Sequence, residues 1–182
     1  MRVRLLALPL VLFLAVALTG CGGSESAPAD ATTDQATAAT QSAASGDVDR
    51  TVTLKPEGNR MKYQKTEFAV APGETVKLVF KNVATSPSMQ HNVVILTSSE
   101  EGIFQKIGEA GTRAGASNDY IPQEADLRER VLAHTPMSQP GETVEVTFTA
   151  PEEPGEYGYL CTFPGHWATM QGTMAVTEDA AA

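Results

Sequence analysis

From about Val48, the chain is dominated by short runs in which apolar and polar residues alternate. A period of two is typical of strands with one buried face. Pro-Gly and Gly-Asn pairs, which favour tight turns, separate the runs. We therefore predict about seven or eight strands packed as an all-β sandwich. The alternating runs cover residues 51–55, 61–64, 75–81, 143–148 and 174–176.

One five-residue sequence occurs twice at the entry to such a run. Pro-Gly-Glu-Thr-Val stands at residues 72–76 and again at residues 140–144. Proline and glycine favour a turn for different backbone reasons. We predict that two strands enter the sandwich through the same turn chemistry.

The segment from Thr97 to Arg130 interrupts the strand pattern. Ser98 and Glu101 fit a capping box, and apolar residues then recur at helical spacing at positions 103, 104 and 107. We predict a helix of about three turns that ends near the glycine at 108 or 111. A second helical turn is expected within residues 124–130, and the whole insertion should pack on the sandwich as a flap.

The N-terminus has the pattern of an export signal. A short basic segment precedes an apolar run from Leu5 to Leu18. That run is shorter than the roughly 20 residues of a membrane-spanning helix, so we interpret residues 1–20 as a signal peptide. Leu18-Thr19-Gly20-Cys21 resembles a bacterial lipobox, which predicts lipidation of Cys21. The alternative is an ordinary signal peptide that happens to contain a cysteine.

Residues 22–47 have the composition of a disordered tether. They contain no aromatic residue and no Leu, Ile or Val, so they cannot bury enough apolar surface to offset their ordering entropy. We therefore predict a lipidated Cys21 and tether over residues 21–47, one folded domain over 48–178 and a disordered tail over 179–182. The lipid would hold the domain at a membrane.

Composition and charge narrow the function. The 182 residues carry a formal net charge of −9, which argues against nucleic-acid binding because that binding needs clustered basic residues. The two cysteines rule out a disulfide-rich scaffold. If Cys21 carries lipid, Cys161 is left as a single thiol in an oxidising compartment, where a free thiol is a liability.

Three potential metal ligands lie within ten residues, between two predicted strands: Cys161, His166 and Met170. His91 stands upstream, at the start of the apolar run that ends at residue 96. Two imidazoles and a thiolate with a weak thioether are typical of an electron-transfer copper site. The soft thiolate binds copper strongly, and imidazole suits both of its oxidation states.

Other interpretations of these residues remain open. Zinc also accepts cysteine and histidine, although its sites seldom use methionine. Taken singly, Cys161 could be a core thiol and Met170 core filling. The sequence pattern does not assign His134 to the ligand set, so we expect it at the surface or on the flap. An enzyme is the weakest interpretation, because four protein ligands leave a metal no open position.

The ligand segment resembles a known family. Cys-Thr-Phe-Pro-Gly-His at residues 161–166, followed by Met170, and Met89-x-His91-Asn92 are similar to the cupredoxins, and within them to azurins and auracyanins. The resemblance covers residues 48–177. It implies a cupredoxin-type Greek-key β-sandwich with a helical flap and one type 1 blue copper ion.

The resemblance also carries expectations for individual residues. Azurins have a glycine whose carbonyl contacts copper where this chain has Gln90, so the Gln90 carbonyl is a candidate fifth ligand. Asn92 would bridge the ligand loops, Thr162 would bond across to the first-histidine strand, and Pro164 next to Phe163 would lack an N–H for the sulfur. The expected partner-docking patch around His166 comprises Met61, Met89, Gly165, Ala168 and Trp167.

The sequence thus predicts a membrane-tethered copper electron carrier that cycles between Cu(II) and Cu(I) and docks transiently with redox proteins. We expect a monomer on the periplasmic or extracytoplasmic face of a membrane. The alternative is a lipid-anchored copper-delivery protein with the same ligands and no electron traffic.

Overall fold

The computed structural model describes residues 47–181. The predicted signal peptide, the lipidation site at Cys21 and the tether up to residue 46 lie outside these residues. Eight strands form within the described part of the chain. They are β1 (Arg50–Leu54), β2 (Glu67–Val70), β3 (Thr75–Lys81), β4 (Val94–Leu96), β5 (Val131–His134), β6 (Thr143–Thr149), β7 (Gly155–Leu160) and β8 (Gln171–Val176).

The strands form two sheets, in the orders β1-β3-β6 and β2-β8-β7-β4-β5. The pairs β1–β3 and β2–β8 are parallel, whereas the other paired strands are antiparallel. The predicted all-β sandwich with a helical insertion is therefore confirmed.

Alternation along β3 shows why these residues form a sandwich. Val76, Leu78 and Phe80 are fully buried, while Lys77 and Val79 between them are partly exposed. The burial of one apolar side chain of this kind stabilises the folded state by about 1.5–3 kcal/mol. These residues share one core with the inward face of the second sheet, which includes Tyr159, and with the buried ring of Tyr63.

The repeated turn sequence performs the same task in both places. Gly73 and Gly141 adopt positive φ values of 67° and 85°, which glycine reaches without steric penalty. The Glu74 carboxylate accepts a hydrogen bond from the Ala71 backbone N at 2.8 Å. Glu142 accepts one from Gln139 N at 2.7 Å. The two turns lead into β3 and β6, which pair antiparallel.

The alternating run at residues 61–64 is not a strand, so that prediction was wrong. These residues form a loop that is closed on Lys55 by a hydrogen bond from Gln64 N to Lys55 O (2.8 Å), and only Pro56 and Tyr63 form an isolated bridge. Tyr63 is buried for a different reason: its hydroxyl donates to the Asn92 carbonyl at 2.7 Å. The pattern also missed the short strands β2 and β5.

The insertion contains α1 (Ile103–Ala114) and α2 (Ala125–Arg128). The predicted capping box was wrong, because Gly102 is the N-cap and no side chain caps the helix. The predicted end was also wrong, since α1 continues past Gly108 and Gly111 to Ala114, with Gly115 as its C-cap. A Cβ atom on Gly108 would lie 2.1 Å from Trp167 Cγ, and one on Gly111 would lie 2.2 Å from the Tyr120 carbonyl oxygen. These glycines therefore permit close packing.

The flap covers the five-stranded sheet through a second apolar cluster. Ile103 and Ile107 of α1 pack with Val94, Leu96 and Leu160 of the sheet. Trp167, which belongs to the predicted ligand segment, contacts the same cluster. The flap is therefore joined to the loop that carries the candidate ligands. Within residues 47–181, no helix combines the length and apolarity that crossing a membrane requires.

Candidate metal centre

Two adjacent strands hold the loop that carries three candidate ligands. β7 ends immediately before Cys161 and β8 begins immediately after Met170. The Cys161 N donates to the Met170 carbonyl at 3.0 Å, and the Met170 N donates to the His166 carbonyl at 2.8 Å. Gly165, at a φ of 81°, provides the reversal before His166. The backbone therefore fixes all three positions relative to the sheet.

His91 reaches the same end of the sandwich ahead of β4. It forms an isolated bridge with Ser138, with hydrogen bonds of 3.1 Å from His91 N and 2.8 Å to His91 O. The buried Asn82 amide donates to the Ser138 carbonyl at 3.0 Å and to the Met89 carbonyl at 2.9 Å. Asn82 thus joins the end of β3 both to the segment before His91 and to Ser138, the residue that pairs with His91.

The three donor atoms form a compact triangle. Cys161 Sγ lies 3.8 Å from His91 Nδ1 and 3.7 Å from His166 Nδ1, and the two Nδ1 atoms are 3.1 Å apart. The centre of such a triangle is about 2.1 Å from each corner, close to the usual metal–nitrogen and metal–sulfur bond lengths. The residues present therefore fit a transition-metal ion.

The four candidate ligands differ slightly in solvent exposure. His91, Cys161 and Met170 are fully buried, whereas His166 is 4% exposed. His166 is therefore the member of the set that reaches the surface, although only narrowly. Together with Met170 directly before β8, the histidines and the thiol are arranged as a type 1 copper site.

Burial also sets the protonation of the site. Loss of solvent, and then the nearby His166, lower the pKa of His91 to about 4. Burial lowers the pKa of His166 as well and raises the pKa of the Cys161 thiol to about 12. Without an ion, the arrangement is two neutral imidazoles and a thiol. A bound cation would displace the thiol proton, because metal ligands must be deprotonated.

Two hydrogen bonds join the two ligand segments. Asn92 Nδ2 donates to Thr162 Oγ1 at 2.9 Å, and Thr162 N donates to Asn92 Oδ1 at 2.9 Å. Both residues are fully buried. The residue after His91 is therefore locked to the residue after Cys161, which restrains the distance between the two donors.

The rings of the ligands are oriented mainly by packing. His91 Nε2 is buried without a hydrogen-bond partner, and Phe80 packs edge-on against its ring at a centroid distance of 6.3 Å. Phe163 packs against His166 at 4.7 Å and against Tyr120 of the flap at 5.4 Å. No hydrogen bond at Nε2 therefore fixes the orientation of the His91 ring, which depends on its packing and on the groups at Nδ1.

Two residues that hold the segments around His91 in place were not found from the sequence patterns. Asn82 was not singled out, although a polar residue directly after a strongly alternating strand was a usable signal. Tyr63 was assigned to a strand, whereas its hydroxyl bonds to the Asn92 carbonyl. Both act over long sequence separations, so local periodicity carries no information about their partners.

The residues expected to form a docking patch differ in exposure. Met61 is 42% exposed, Gly165, Ala168 and Pro164 are exposed, and Met89 is half-buried. The hydroxyl of Thr169 donates to the Met61 carbonyl at 3.0 Å, which joins that residue to the ligand loop. Trp167 is half-buried against the flap, because α1 provides a glycine-lined surface for its ring.

His134 is not the surface or flap residue that the sequence suggested. It ends β5, is 8% exposed, and its Nδ1 lies 3.2 Å from the Thr135 carbonyl oxygen. Burial lowers its pKa. The neighbouring Thr135 hydroxyl accepts from Val93 N at 3.0 Å. Gln90 is half-buried beside His91, and its carbonyl contact with copper stays a prediction.

A sandwich of three- and five-stranded sheets with a buried Cys-His-His-Met set at one end defines the class of cupredoxins. The family model of copper-binding proteins, plastocyanin/azurin family, matches residues 50–177. The chain belongs to this family.

Individual relatives agree with this assignment. The chain is similar to auracyanin-A of Chloroflexus aurantiacus, with 35% identity over 95% of this chain and 96% of the relative. It is also similar to azurin of Alcaligenes faecalis, with 38% identity over 55% of this chain and 75% of the relative. The solved structure of auracyanin A, described as a "blue" copper protein, covers 70% of this chain and 98% of that chain at a TM-score of 0.63 and 38% identity.

Proposed function

We propose that this protein is a single-copper electron carrier whose ion is held by His91, Cys161, His166 and Met170. The observation that carries the proposal is the buried triangle of one sulfur and two Nδ1 atoms, with edges of 3.1–3.8 Å. When bound, copper supplies one-electron chemistry between Cu(II) and Cu(I). Two imidazoles and a thiolate with a weak thioether suit both oxidation states.

The protein's own contribution is a stiff and closed site. The Asn92–Thr162 hydrogen bonds and the backbone bonds of loop 161–170 hold the donors in place. A geometry that changes little between oxidation states lets an electron move without large atomic motion. Four protein donors leave no open coordination position, which supports a carrier rather than an enzyme.

Electrons would enter and leave on the His166 side. His166 alone among the four ligands has exposed surface, and the residues next to it in the loop, Gly165 and Ala168, are exposed and uncharged. Together with Met61, Met89 and the edge of Trp167, they would form the face on which redox proteins dock. Transient docking suits small contact areas.

Two finer features belong to the same proposal. The Gln90 carbonyl would make a weak fifth contact with copper, since Gln90 immediately precedes His91. Pro164 has no backbone N–H, so the thiolate of Cys161 would accept one hydrogen bond fewer. Weaker hydrogen bonding to the sulfur is one of the ways in which a protein tunes the reduction potential.

The proposed location rests on the N-terminal sequence. Residues 1–20 have a signal-peptide pattern, Cys21 stands at a lipobox-like position, and residues 22–47 have a tether composition. We place the domain, as a monomer, on the extracytoplasmic face of a membrane. Mass spectrometry of the mature N-terminus checks this: a diacylglyceryl group on Cys21 is expected, and an unmodified or absent Cys21 would contradict it.

The test of the copper site is optical. Oxidised copper-loaded protein should show an intense sulfur-to-copper charge-transfer band near the red end of the visible spectrum, and Cys161→Ser should abolish it. Ser138→Ala, a change at a buried hydroxyl near His91, serves as the folded control and should keep the band. A colourless copper-loaded wild type would refute the proposal. Slow electron exchange with fast copper loss would instead indicate a delivery protein.

A further inference from the structure

The ionised side chains are distributed very unevenly between the two ends of the sandwich. Three segments that surround the copper site, residues 82–92, 135–141 and 161–170, contain no Asp, Glu, Lys or Arg. Beside them lies the loop of residues 55–65, which follows β1. This basic loop carries four cationic residues and the single acid Glu57, in a chain whose net charge is −9.

Contacts place the basic loop directly beside both ligand segments. The Met61 carbonyl accepts from Thr169, the neighbour of Met170. A surface cavity is lined jointly by Arg60, Met61, Lys62, Met89 and Thr169, together with Asn59. The cationic groups thus border the face through which the proposed electron path leaves the protein.

The cations of this loop are directed to solvent. The side chains of Arg60 and Lys62 are 78% and 54% exposed. Both contact the Glu57 carboxylate, at 3.3 Å and 3.0 Å, and the hydrogen bond from Lys62 is the main cause of the lowered pKa of Glu57. Because one acid faces two cations, and Lys55 and Lys65 add to them, the loop keeps a positive charge.

The opposite end of the sandwich is acidic. There the chain termini of the domain and the turns before β3 and β7 meet. Residues 47–50, 71–74, 151–156 and 177–181 together carry eight acidic side chains and one basic one, Arg50. Arg50 bonds to the Glu74 carboxylate and to the Ala180 carbonyl, which joins these segments. The molecule therefore has an electric dipole whose positive end is the copper end.

The flap, residues 97–130, carries seven acidic and four basic side chains, and this net charge of −3 weakens the field. Among its acids, Asp119 contacts a ligand segment, since its carbonyl accepts from Asn92. Its carboxylate accepts from the Met137 backbone N. Glu124 is paired with Arg113 at 3.1 Å. At the end of β3, Lys81 stands near Glu142, since the next residue, Asn82, donates its N–H to the Glu142 carbonyl at 2.9 Å, and these two charges cancel in the net sum.

We infer that the basic loop, residues 55–65, is the docking contact for a redox protein that presents an acidic face beside its own cofactor. This inference rests on the proposed electron-carrier function. Arg60 and Lys62 would form ion pairs with carboxylates of the partner. Met61 and Met89 would contact the partner over the uncharged surface between these two cations and His166. The dipole would turn the copper end toward such a partner before contact, even though the whole chain is acidic, because steering depends on the local field.

A protein face is favoured over an anionic membrane surface as the occupant. The basic residues lie on one side of an uncharged face that carries a surface cavity. The charge on this face is therefore distributed asymmetrically, and its surface is not flat. A lipid surface would gain from a broad spread of cations, whereas the segments around His166 carry none. Acidic vesicles are therefore included as an arm of the test.

The experiment uses the copper-loaded full chain and gold electrodes coated with carboxylate-terminated or amine-terminated alkanethiols. We expect wild type to exchange electrons at least about tenfold faster at the carboxylate surface than at the amine surface at low ionic strength. Added salt should remove the difference within the range where the Debye length falls to about 8 Å. Equal rates, or faster exchange at the amine surface, would overturn the inference.

A charge-reversal pair supplies the matched control. Arg60→Glu with Lys62→Glu should lower the rate at the carboxylate surface about tenfold. Lys77→Glu with Lys106→Glu changes the net charge equally on other surfaces and should change the rate less than twofold. The absorption band must be intact in both variants. If both pairs act equally, net charge governs the rate and the proposed docking contact is wrong.

Two further measurements separate the possible failures. Electron exchange with a small neutral ferrocene reagent should be fast in all variants, and its loss in wild type would count against the electron-carrier function itself. Binding to vesicles of phosphatidylglycerol should not depend on Arg60 and Lys62. If the reversal abolishes vesicle binding and leaves the electrode rate unchanged, the basic loop contacts lipid and the inference is refuted.

Discussion

Met170 differs from the other three candidate ligands because its thioether is a weak donor. A thioether stabilises Cu(II) less than imidazole or thiolate does, so it affects the potential more than the binding. Its position is set by strand pairing, since its backbone closes the loop on Cys161. Changes to its side chain should therefore leave the loop in place.

Met170→Leu should keep the blue colour and raise the reduction potential, because loss of the thioether donor would destabilise Cu(II) relative to Cu(I). The volume of the side chain is nearly unchanged, so the core should tolerate it. Redox titration monitored at the charge-transfer band measures the shift. An unchanged or lower potential would show that Met170 does not act as a ligand. Met174→Leu, at a buried methionine of β8, is the control.

Asn92 carries the link between the two ligand segments. Asn92→Ala removes two buried hydrogen bonds and leaves the Thr162 N–H without this partner. An unsatisfied buried group of this kind costs about 1–3 kcal/mol. The free energy of unfolding of the copper-free protein, from urea titration, should fall by about that amount. Asn118→Ala, on an exposed hydrogen bond, should change it by less than about 0.5 kcal/mol.

At the scale of elements, the helical flap buttresses the ligand loop. Gly108 and Gly111 stand one turn apart on the face of α1 that meets Trp167, Thr162 and Tyr120. Trp167 immediately follows His166, so a displacement of the indole ring is transmitted directly to a ligand. Helix and copper loop are thus packed as one unit.

Gly108→Ala tests this packing through the sign of its effect. In an exposed helix interior the change stabilises by about 1 kcal/mol. Here the new Cβ would lie 2.1 Å from Trp167 Cγ, so we expect destabilisation of about 1–3 kcal/mol. We also expect a shifted charge-transfer band. Urea unfolding and the visible spectrum measure both effects, with Gln105→Ala on the exposed face as control.

A second variant distinguishes a clash from a general helix effect. In a Trp167→Gly background, Gly108→Ala should no longer destabilise the protein, because the three atoms nearest the new Cβ, which are Trp167 Cβ, Cγ and Cδ1, are all absent. If the loss of stability persists in that background, the ring of Trp167 is not what opposes the substitution.

For the molecule as a whole, a bound ion would join two segments that are far apart in the chain. The four candidate ligands come from the loop between β7 and β8 and from the segment before β4, and an ion that binds only the folded state stabilises that state. With free copper at about 100 times the Kd, the stabilisation is about 2.7 kcal/mol.

Copper loading should therefore raise the Tm by about 10 °C for a domain of this size. Differential scanning calorimetry of the copper-free and copper-loaded protein measures the shift. Cys161→Ser, which loses the strongest donor, should show a much smaller increase under the same conditions. An identical Tm with and without copper in wild type would contradict a site shared between elements.

Much of this protein could be predicted from the sequence. Period-two alternation located β1, β3, β6 and β8, because half-buried strands impose it locally. The segment 161–170 predicted a soft metal site, because few other arrangements bring a thiol, an imidazole and a thioether so close. The turns at Gly73 and Gly141 could also be predicted from the sequence, since a positive φ is a local requirement.

Only the tertiary structure decided the rest. Local pattern mistook Tyr63 for part of a strand, Gly108 and Gly111 for a helix end, and His134 for a surface residue. Each of these positions is determined by a partner far away in the chain: the Asn92 carbonyl, the Trp167 ring and the interior beside β5. The sequence specifies which chemistry is present, whereas donor distances, close packing and the charge difference between the two ends arise only when the strands pair, because they depend on contacts between residues that periodicity does not connect.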